Sequence, residues 1–569
     1  MIDIMGHKPD ATTLRDLVVK RASYGDKPFL ICRDITLTYA DADRLSNRVA
    51  NSLLAQGIGH GDVVATVMYN AVEQALIWFG CAKIGAVYAS LNVSLKKEDL
   101  AYSLNDTGAK MLVVDEELAD AYISAKPLLD FDPPVYVHGA VDVIAGAAPL
   151  DDLLKGGESL PDAEVAAADP VCIVYTGGST SMPKGVLVSH LYYIAAAVRY
   201  AEIAEATEDD VHYANSHFFH IGGQQFAITS PLYNGMTGIM DKWFSASNYW
   251  NIVHKYGATI IDPLGTMMAV LLRRPESDLD KTHKVRVGVG IASSQVRKDL
   301  RDEFEARFGA PMLEVYSMTE MGVLMCSERL HDRRSGSCGR PHGWAEVLVV
   351  DADDNPVPPN TQGQILFRPK VPNTYMIEYV NKPRETLAAW KNLWYHSGDL
   401  GYLDEDGYVY FVGREAHWIR RRGENVSAFE VEKALTPHEA VVDCAAVGVP
   451  SEIGEEDIKI YVQLAEDTSR PDPAELVGWC KERIAFFKVP AFVATLGAMY
   501  VARGVALVLA YCLGLGIPFV LLAFGSARAV SGLGWLRRHT RAIQVFGGVL
   551  LILVGAALVS GLWNEFVSW

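Results

Sequence analysis

The sequence predicts an α/β protein made of a large N-terminal domain of several subdomains, a small α/β domain and, at the end, an α-helical transmembrane hairpin. Three observations carry this expectation. Helical patterns alternate with short apolar runs over most of the chain. The length, 569 residues, exceeds what one hydrophobic core organises. The composition changes abruptly after Pro490.

From about Thr13 to Leu150 the apolar runs Asp62–Met68 (DVVATVM) and Lys110–Val114 (KMLVV) read as strands between helices. Pro- and Ala-rich text from Ala145 to Pro170 reads as a surface connection leading into a strand, Val171–Tyr175. A second α/β region runs from His190 to about Phe308. A β-rich region follows from Gly336 to Val412, with the turn text Asp404-Glu-Asp-Gly407 between two apolar strands. Beyond Arg414, Ser427-Ala-Phe-Glu430 has capping-box spacing, in which the hydroxyl and the carboxylate satisfy free amides at a helix start. The small domain then extends to about Val493.

With 51 basic and 69 acidic residues the net charge is -18, which excludes nucleic-acid binding through clustered cations. The eight cysteines (32, 81, 172, 326, 338, 444, 480, 512) show no CxxC and no paired spacing, so neither a zinc site nor a disulfide framework is expected. Met1 to Asp10 lacks a basic region followed by an apolar run, so no secretory signal is expected. After Pro490 stand five arginines (503, 528, 537, 538, 541), one acid, Glu565, and no lysine. Residues 504–527 and 542–564 carry no charge, and a helix crossing a bilayer core needs ~20 apolar residues. Trp535, Trp563 and Trp569 lie near the ends of these runs, as interfacial rings do. The expectation is a two-pass membrane protein. The basic connecting loop (Arg528, Arg537, Arg538, Arg541) would place both hairpin ends outside, whereas an ATP-using domain needs the cytoplasmic side. A tail acquired by gene fusion reconciles the two.

The chemistry-bearing text begins at Tyr175-Thr-Gly-Gly-Ser-Thr-Ser-Met-Pro-Lys-Gly185, between two strands. Glycines let backbone amides approach phosphate oxygens, hydroxyls donate to the same oxygens, and Lys184 supplies a cation. The spacing is not that of the P-loop, since Pro183 precedes the lysine and Gly185 follows it. Four further segments follow in order: His217-Phe-Phe-His220-Ile-Gly-Gly223; Tyr316-Ser-Met-Thr-Glu320; Tyr395-His-Ser-Gly-Asp399; and Gly413-Arg-Glu-Ala-His-Trp-Ile419 with Gly423-Glu-Asn-Val-Ser427.

These five segments, in this order, resemble the motifs of the adenylate-forming (AMP-binding) superfamily, which includes acyl-CoA ligases and peptide-synthetase adenylation domains. The likeness covers about residues 13–490. The text Gly423-Glu-Asn-Val-Ser427 and Phe486-Phe-Lys-Val-Pro490 is most similar to ligases of the carnitine and crotonobetaine type and to medium-chain acyl-CoA synthetases. Gly177, Ser181, Ser317 and His417 depart from the family pattern, His417 where the hinge usually carries Asp.

The resemblance implies an AMP-binding domain over 1–413, a truncated mobile C-terminal domain over 414–493 and a two-helix region over 494–569. It also implies ATP, Mg²⁺ and coenzyme A as cofactor and co-substrates, and a carboxylic acid as the acyl partner. By the same likeness Thr176, Gly177, Gly178, Ser179, Thr180 and Lys184 would hold the phosphates, Thr319 and Glu320 the Mg²⁺, Tyr316 the adenine, and Asp399 and Arg414 the ribose. Lys184, Thr319, Glu320 and Arg414 are then the catalytic set. His217, His220 and Gly290 would border the acyl pocket, and Gly423, Glu424 and Asn425 would face the thiol of CoA.

The superfamily also uses a lysine in a Pro-x-Thr-x-x-Gly-Lys segment, which this sequence lacks; its last lysine is Lys488. Losing one preorganised donor costs ~10²- to 10³-fold in rate, so weakened adenylation is expected. Residues 503–569 resemble the last two helices of the membrane thiol-disulfide transporter of cytochrome c biogenesis, without its cysteine pair. The expected activity is formation of an acyl-adenylate and transfer of the acyl group to CoA. The alternative is a silent, membrane-tethered protein that binds a nucleotide or acyl-adenylate.

Overall fold

A computed structural model describes residues 8–177, 182–291, 299–414, 418–451, 454–464 and 471–496. Residues through Thr495 make one compact unit. Its first layer is an eight-stranded sheet in the order 376–379, 184–189, 170–176, 87–90, 63–67, 111–115, 135–138, 148–149. Val63–Val67 pairs in parallel with Val87–Ser90 and Met111–Asp115. Val63–Val67 and Met111–Asp115 fall in the two runs that read as strands in the sequence, and they are buried on both faces, which accounts for their continuous apolar text.

A nine-stranded sheet forms the second layer. Its parallel centre brings Val211–Ala214, Ile260–Ile261, Val287–Ile291 and Met312–Met318 side by side. Between the two sheets runs the helix His190–Ala204, capped by Ser189, whose hydroxyl accepts from the Tyr192 amide. That helix is buried nearly all round, so it reads as apolar rather than amphipathic.

The β-rich region is a four-stranded antiparallel sheet, Ala345–Val350, Gly363–Pro369, Tyr395–Leu403 and Val409–Arg414. Its last hairpin turns at Asp404–Gly407, where Gly407 takes φ +80° and its amide donates to the Asp404 carbonyl. After it come a two-stranded ribbon (Trp418–Arg421 with Glu424–Ser427), the helix Ala428–Leu435, the antiparallel strands Val441–Pro450 and Glu456–Leu464, the helix Pro473–Arg483 and a third strand of that sheet, Phe492–Leu496. This part buries its own core, including Ile419, Val431, Leu435, Ile458, Ile460 and Leu476. The helix begins directly after Ser427, where the capping spacing put a helix start.

The expected two-pass membrane location is corrected: among the described residues no helix is long and apolar enough to cross a membrane. The longest, Tyr39–Ala55, has 17 residues. At 1.5 Å per residue it spans about 26 Å, short of a ~30 Å hydrocarbon core. It also carries Asp41, Asp43, Arg44 and Arg48. Residues 504–527 and 542–564, on which that expectation rested, lie outside the described residues.

Candidate active site

The strands Pro170–Thr176 and Lys184–Ser189 pair antiparallel, so Thr176 stands opposite Lys184 at the mouth of the Gly-rich loop. Gly178, Ser179, Thr180 and Ser181 within that loop lie outside the described residues. Gly185 is required by packing: a Cβ there would lie 2.9 Å from Ile173 Cγ2 and 3.2 Å from the Tyr175 ring. The Tyr175 hydroxyl is fixed by the Asp106 carboxylate at 3.0 Å. The loop's second end is held by Tyr102, whose hydroxyl donates to the Pro183 carbonyl at 3.0 Å.

Glu320 arrives from the short helical turn after the strand Met312–Met318. Its Oε1 accepts from the Tyr379 hydroxyl at 2.9 Å and from the Thr176 hydroxyl at 3.4 Å. The Lys184 ammonium lies 4.8 Å from the centre of the Tyr379 ring, within cation–π range. The Tyr379 hydroxyl is also 3.2 Å from that of Tyr395. Burial first, and the Glu320 charge second, push the Tyr379 phenol far above its usual value, so it remains a donor. The backbone at Thr319 is set by Tyr192, whose hydroxyl donates to the Thr319 carbonyl at 2.8 Å. Thr176, Lys184, Thr319 and Glu320 thus converge around Tyr379.

Tyr316 donates a hydrogen bond to the Asp399 carboxylate, and its ring stacks on Phe367 at 5.7 Å, with Phe411 6.2 Å away. Asp399 is buried, directly opposite Arg414 in strand register. Tyr316, Asp399 and Arg414 therefore share one corner, where the four-stranded sheet meets the end of the strand Met312–Met318.

The segment His217–Gly223 folds as a tight turn in which the His220 amide donates to the His217 carbonyl at 3.0 Å. A Cβ at Gly223 would fall 2.1 Å from that carbonyl oxygen, so glycine is needed there. The His217 ring stacks on Phe219 at 5.0 Å and touches Trp243 at 4.3 Å. Burial, with His220 nearby, pushes His217 down to about 4, leaving it neutral at neutral pH. His220 Nε2 lies 3.0 Å from Glu424 Oε1, a contact between the acyl segment and the small domain. Burial works against the Glu424 charge, but the neighbouring His220 outweighs it and holds the carboxyl below its usual range.

Gly423 has φ +81°, donates its amide to Glu455 Oε2 at 3.0 Å, and places its Cβ direction 3.5 Å from Leu264. At Gly290 a Cβ would stand 3.2 Å from the Pro263 carbonyl oxygen. Residues 217–223, 263–264, 290 and 423–424 therefore adjoin. The side chains of Arg414 and Asn425 lie outside what is described.

Three groups at the site had no sequence signal. Tyr379 sits in a short strand that pairs with Val186, Trp243 in unremarkable text between strands, and Lys488 in a motif read for its likeness alone. The Lys488 ammonium, 3 % exposed, lies 2.9 Å from Glu430 of the small domain and 3.0 Å from Asp99 of the large one. Beside this joint, Leu95, Glu117, Lys242, Trp243, Glu482 and Phe486 are among the residues lining a groove of about 730 Å³. Its Trp243 wall leads to His217.

The model for AMP-binding enzymes matches residues 18–376, and that for the AMP-binding enzyme C-terminal domain matches 430–499. The second match ends at residue 499, and the likeness of the tail to a thiol-disulfide transporter finds no support. Crotonobetaine/carnitine–CoA ligase of Citrobacter koseri is 33% identical over 486 residues, 82% of this chain and 92% of its own length. That of Salmonella typhimurium is 32% identical over 485 residues, with the same coverage. Among solved structures, an o-succinylbenzoate CoA synthetase of Bacillus subtilis with a product analogue superposes at TM-score 0.73 and 25% identity, over 84% of this chain and 94% of that one. An amide bond synthetase of Marinactinospora thermotolerans shares the fold at TM-score 0.74 and 20% identity, over 85% and 95%. With a family model over well more than half of its length and relatives of this identity and coverage, the chain belongs to the AMP-binding enzyme family and is an acid–thiol ligase of the acyl-CoA synthetase kind.

Proposed function

We propose that the site works in two halves, with the Gly-rich loop and Glu320 serving adenylation and the His220–Glu424 joint serving thioester formation. The observation that carries this reading is the convergence of Thr176, Lys184 and Glu320 around Tyr379, next to an acyl segment closed by the small domain.

In the first half an oxygen of the acid's carboxylate bonds the α-phosphorus of ATP and pyrophosphate leaves. Lys184, Thr176 and the amides of residues 177–180 hold the phosphates and offset charge in transit. Asp399 and Arg414 take the ribose, and Tyr316 borders the adenine. Glu320, with Thr319 beside it, would hold a Mg²⁺, since one carboxylate suits that ion at a phosphate site. The metal neutralises phosphate charge when bound. Among the described residues no cluster of three His, Cys, Asp or Glu forms a separate metal cage.

In the second half the CoA sulfur bonds the acyl carbon and AMP leaves. The groove past Phe486 and Trp243 leads the thiol to His217, and Gly423, Glu424 and Asn425 line its end. Adenylation without a Pro-x-Thr-x-x-Gly-Lys lysine is the finer part of this reading, and we place its rate ~10²- to 10³-fold below that of a complete site. Pyrophosphate exchange measures that rate directly.

The test is carboxylate-dependent ATP–pyrophosphate exchange over a panel of acids, with Lys184→Ala as control and thioester formation from supplied acyl-adenylate alongside. Carnitine and crotonobetaine lead the panel because the curated relatives bear those names. Exchange well above the control supports the reading. Neither exchange nor thioester with any acid refutes it and leaves a silent binder.

A further inference from the structure

Three consecutive arginines, 420 to 422, lead into Gly423, and the fold treats them differently. Arg420 Nε lies 3.5 Å from Glu455 Oε1. Arg421 is buried, with Nε 3.0 Å from Asp457 and Nη1 donating to the Phe487 carbonyl at 3.3 Å. Arg422 is exposed, and among the described residues no carboxylate pairs with it. Its backbone takes φ +54°, a left-handed conformation that costs a residue with a Cβ. Glu455 fixes the turn by accepting the Gly423 amide at 3.0 Å. The guanidinium is thereby presented at the rim of the groove, its central carbon 5.8 Å from the centre of the Phe486 ring.

The groove of about 730 Å³ is lined by Phe486 and Trp243, whose rings are 6.4 Å apart, and Trp243 lies 4.3 Å from His217. From His217 to Arg422 the path thus runs in steps of 4.3, 6.4 and 5.8 Å. The arm that joins the CoA sulfur to its diphosphate is a chain of about thirteen bonds. At roughly 3.3–3.6 Å for every three backbone bonds it reaches about 15 Å, which matches that path.

The walls suit the arm and not the phosphates. Glu117, Asp120 and Glu482 line the groove against two lysines, and both lysines are engaged by protein. The Lys242 ammonium lies 2.5 Å from Glu117, and that of Lys96 donates to the Lys481 carbonyl at 3.0 Å. Arg483, next to Glu482, is 3.3 Å from that carboxylate and 3.4 Å from the centre of the Trp479 ring. Phosphates are repelled by such walls, whereas an uncharged chain of amides is not.

We propose that Arg422 binds the diphosphate of the CoA acceptor at the groove rim, so that the arm, stretched past Phe486 and Trp243, ends with its sulfur beside His217. This rests on the ligase reading above and deepens it. A guanidinium offers phosphate a fork of N–H donors. Arg422 touches only the phosphates. At the other end the sulfur–acyl carbon bond forms, the bond from that carbon to the phosphate oxygen breaks, AMP leaves and the thiol proton passes to water.

The experiment measures thioester formation by the full chain from the acyl-adenylate of the best acid in the panel above, with three thiols. These are CoA, 3′-dephospho-CoA, which keeps the diphosphate, and pantetheine, which has no phosphate. The wild type is expected to show similar KM values for the first two and one about tenfold or more higher for pantetheine. Arg422→Gly suits the positive φ, so it removes the cation and keeps the turn. It should raise the KM of CoA and of 3′-dephospho-CoA about tenfold and shift that of pantetheine less than about twofold. Arg422→Lys should recover part of the loss. An unchanged CoA KM in Arg422→Gly overturns the proposal, and so does an equal rise for pantetheine, which would assign the arginine to the turn alone. Should the wild type make no thioester from any thiol, the ligase reading falls and calorimetry with CoA decides the site. About tenfold weaker CoA binding by Arg422→Gly then upholds the phosphate contact, and equal binding removes it.

Discussion

Asp99→Asn is the perturbation that isolates how the small domain docks. Lys488 joins Glu430, 2.9 Å away in its own domain, to Asp99, 3.0 Å away in the large one. The three side chains are 4 %, 2 % and 12 % exposed. Removing the lysine would strand two carboxylates at ~3–5 kcal/mol and would also unsettle the small domain itself. Asparagine at 99 keeps the shape, leaves Lys488–Glu430 in place and deletes one charged partner across the joint. A hydrogen bond to a charged group is worth about 1.5–3 kcal/mol, or about 10- to 100-fold in docked population. Burial lowers and the two carboxylates raise the Lys488 pKa, with a net rise above its ordinary 10.5. A raised lysine contributes in full below its unfolded pKa and is lost only as pH climbs through the folded one, so the effect is flat around neutrality. In this docked arrangement Glu424 reaches His220. Single-turnover thioester formation from supplied acyl-adenylate should therefore slow by about 10- to 100-fold, while pyrophosphate exchange does not fall. An equal loss in both half-reactions, or no loss in the thioester step, would refute the docking argument.

Tyr379→Phe removes one of the hydroxyls on Glu320 and should raise the Mg²⁺ concentration for half-maximal pyrophosphate exchange, with a rate loss near tenfold, since one such hydrogen bond is worth about 1–2 kcal/mol. An unchanged Mg²⁺ profile would separate Tyr379 from the site. Four deeply buried histidines set the acid limit: burial holds His190 and His212 down to about 3, His217 to about 4 and His342 well below its usual value. Below pH 6.5 the unfolded chain takes up protons that the folded one refuses. Stability should then fall by about 1.4 kcal/mol per histidine per pH unit until each folded pKa is reached. Urea melts between pH 7 and 5 read this directly, and a flat midpoint would contradict the burial of these rings.

The candidate phosphate loop could be picked out of the sequence because its residues are local in the chain. Glycines, hydroxyls and Lys184 stand within one loop, and the strand on each side of it is a continuous apolar run. Tyr379 was not legible, since its bond to Glu320 spans 59 residues and depends on the strand Met376–Tyr379 adding to a sheet begun 300 residues earlier in the chain at Val63–Val67, roughly counted. The Lys488–Asp99 contact joins residues 389 apart. Asp262 carries no signal in the sequence, and its burial follows from strands on both sides that no local period reveals.

The sequence by itself determined which residue types could serve phosphate, metal and acyl chemistry, and in what order, because motif spacing and side-chain functional groups are properties of short segments. Tertiary structure alone decided which of them meet. Parallel strands end together at Asn215, Asp262 and Gly290, and the small domain rests on Asp99 and His220. Such meetings come from sheet order and domain packing, in which contacts between distant segments offset the entropy of closing long loops. Neither leaves a periodic mark in the chain.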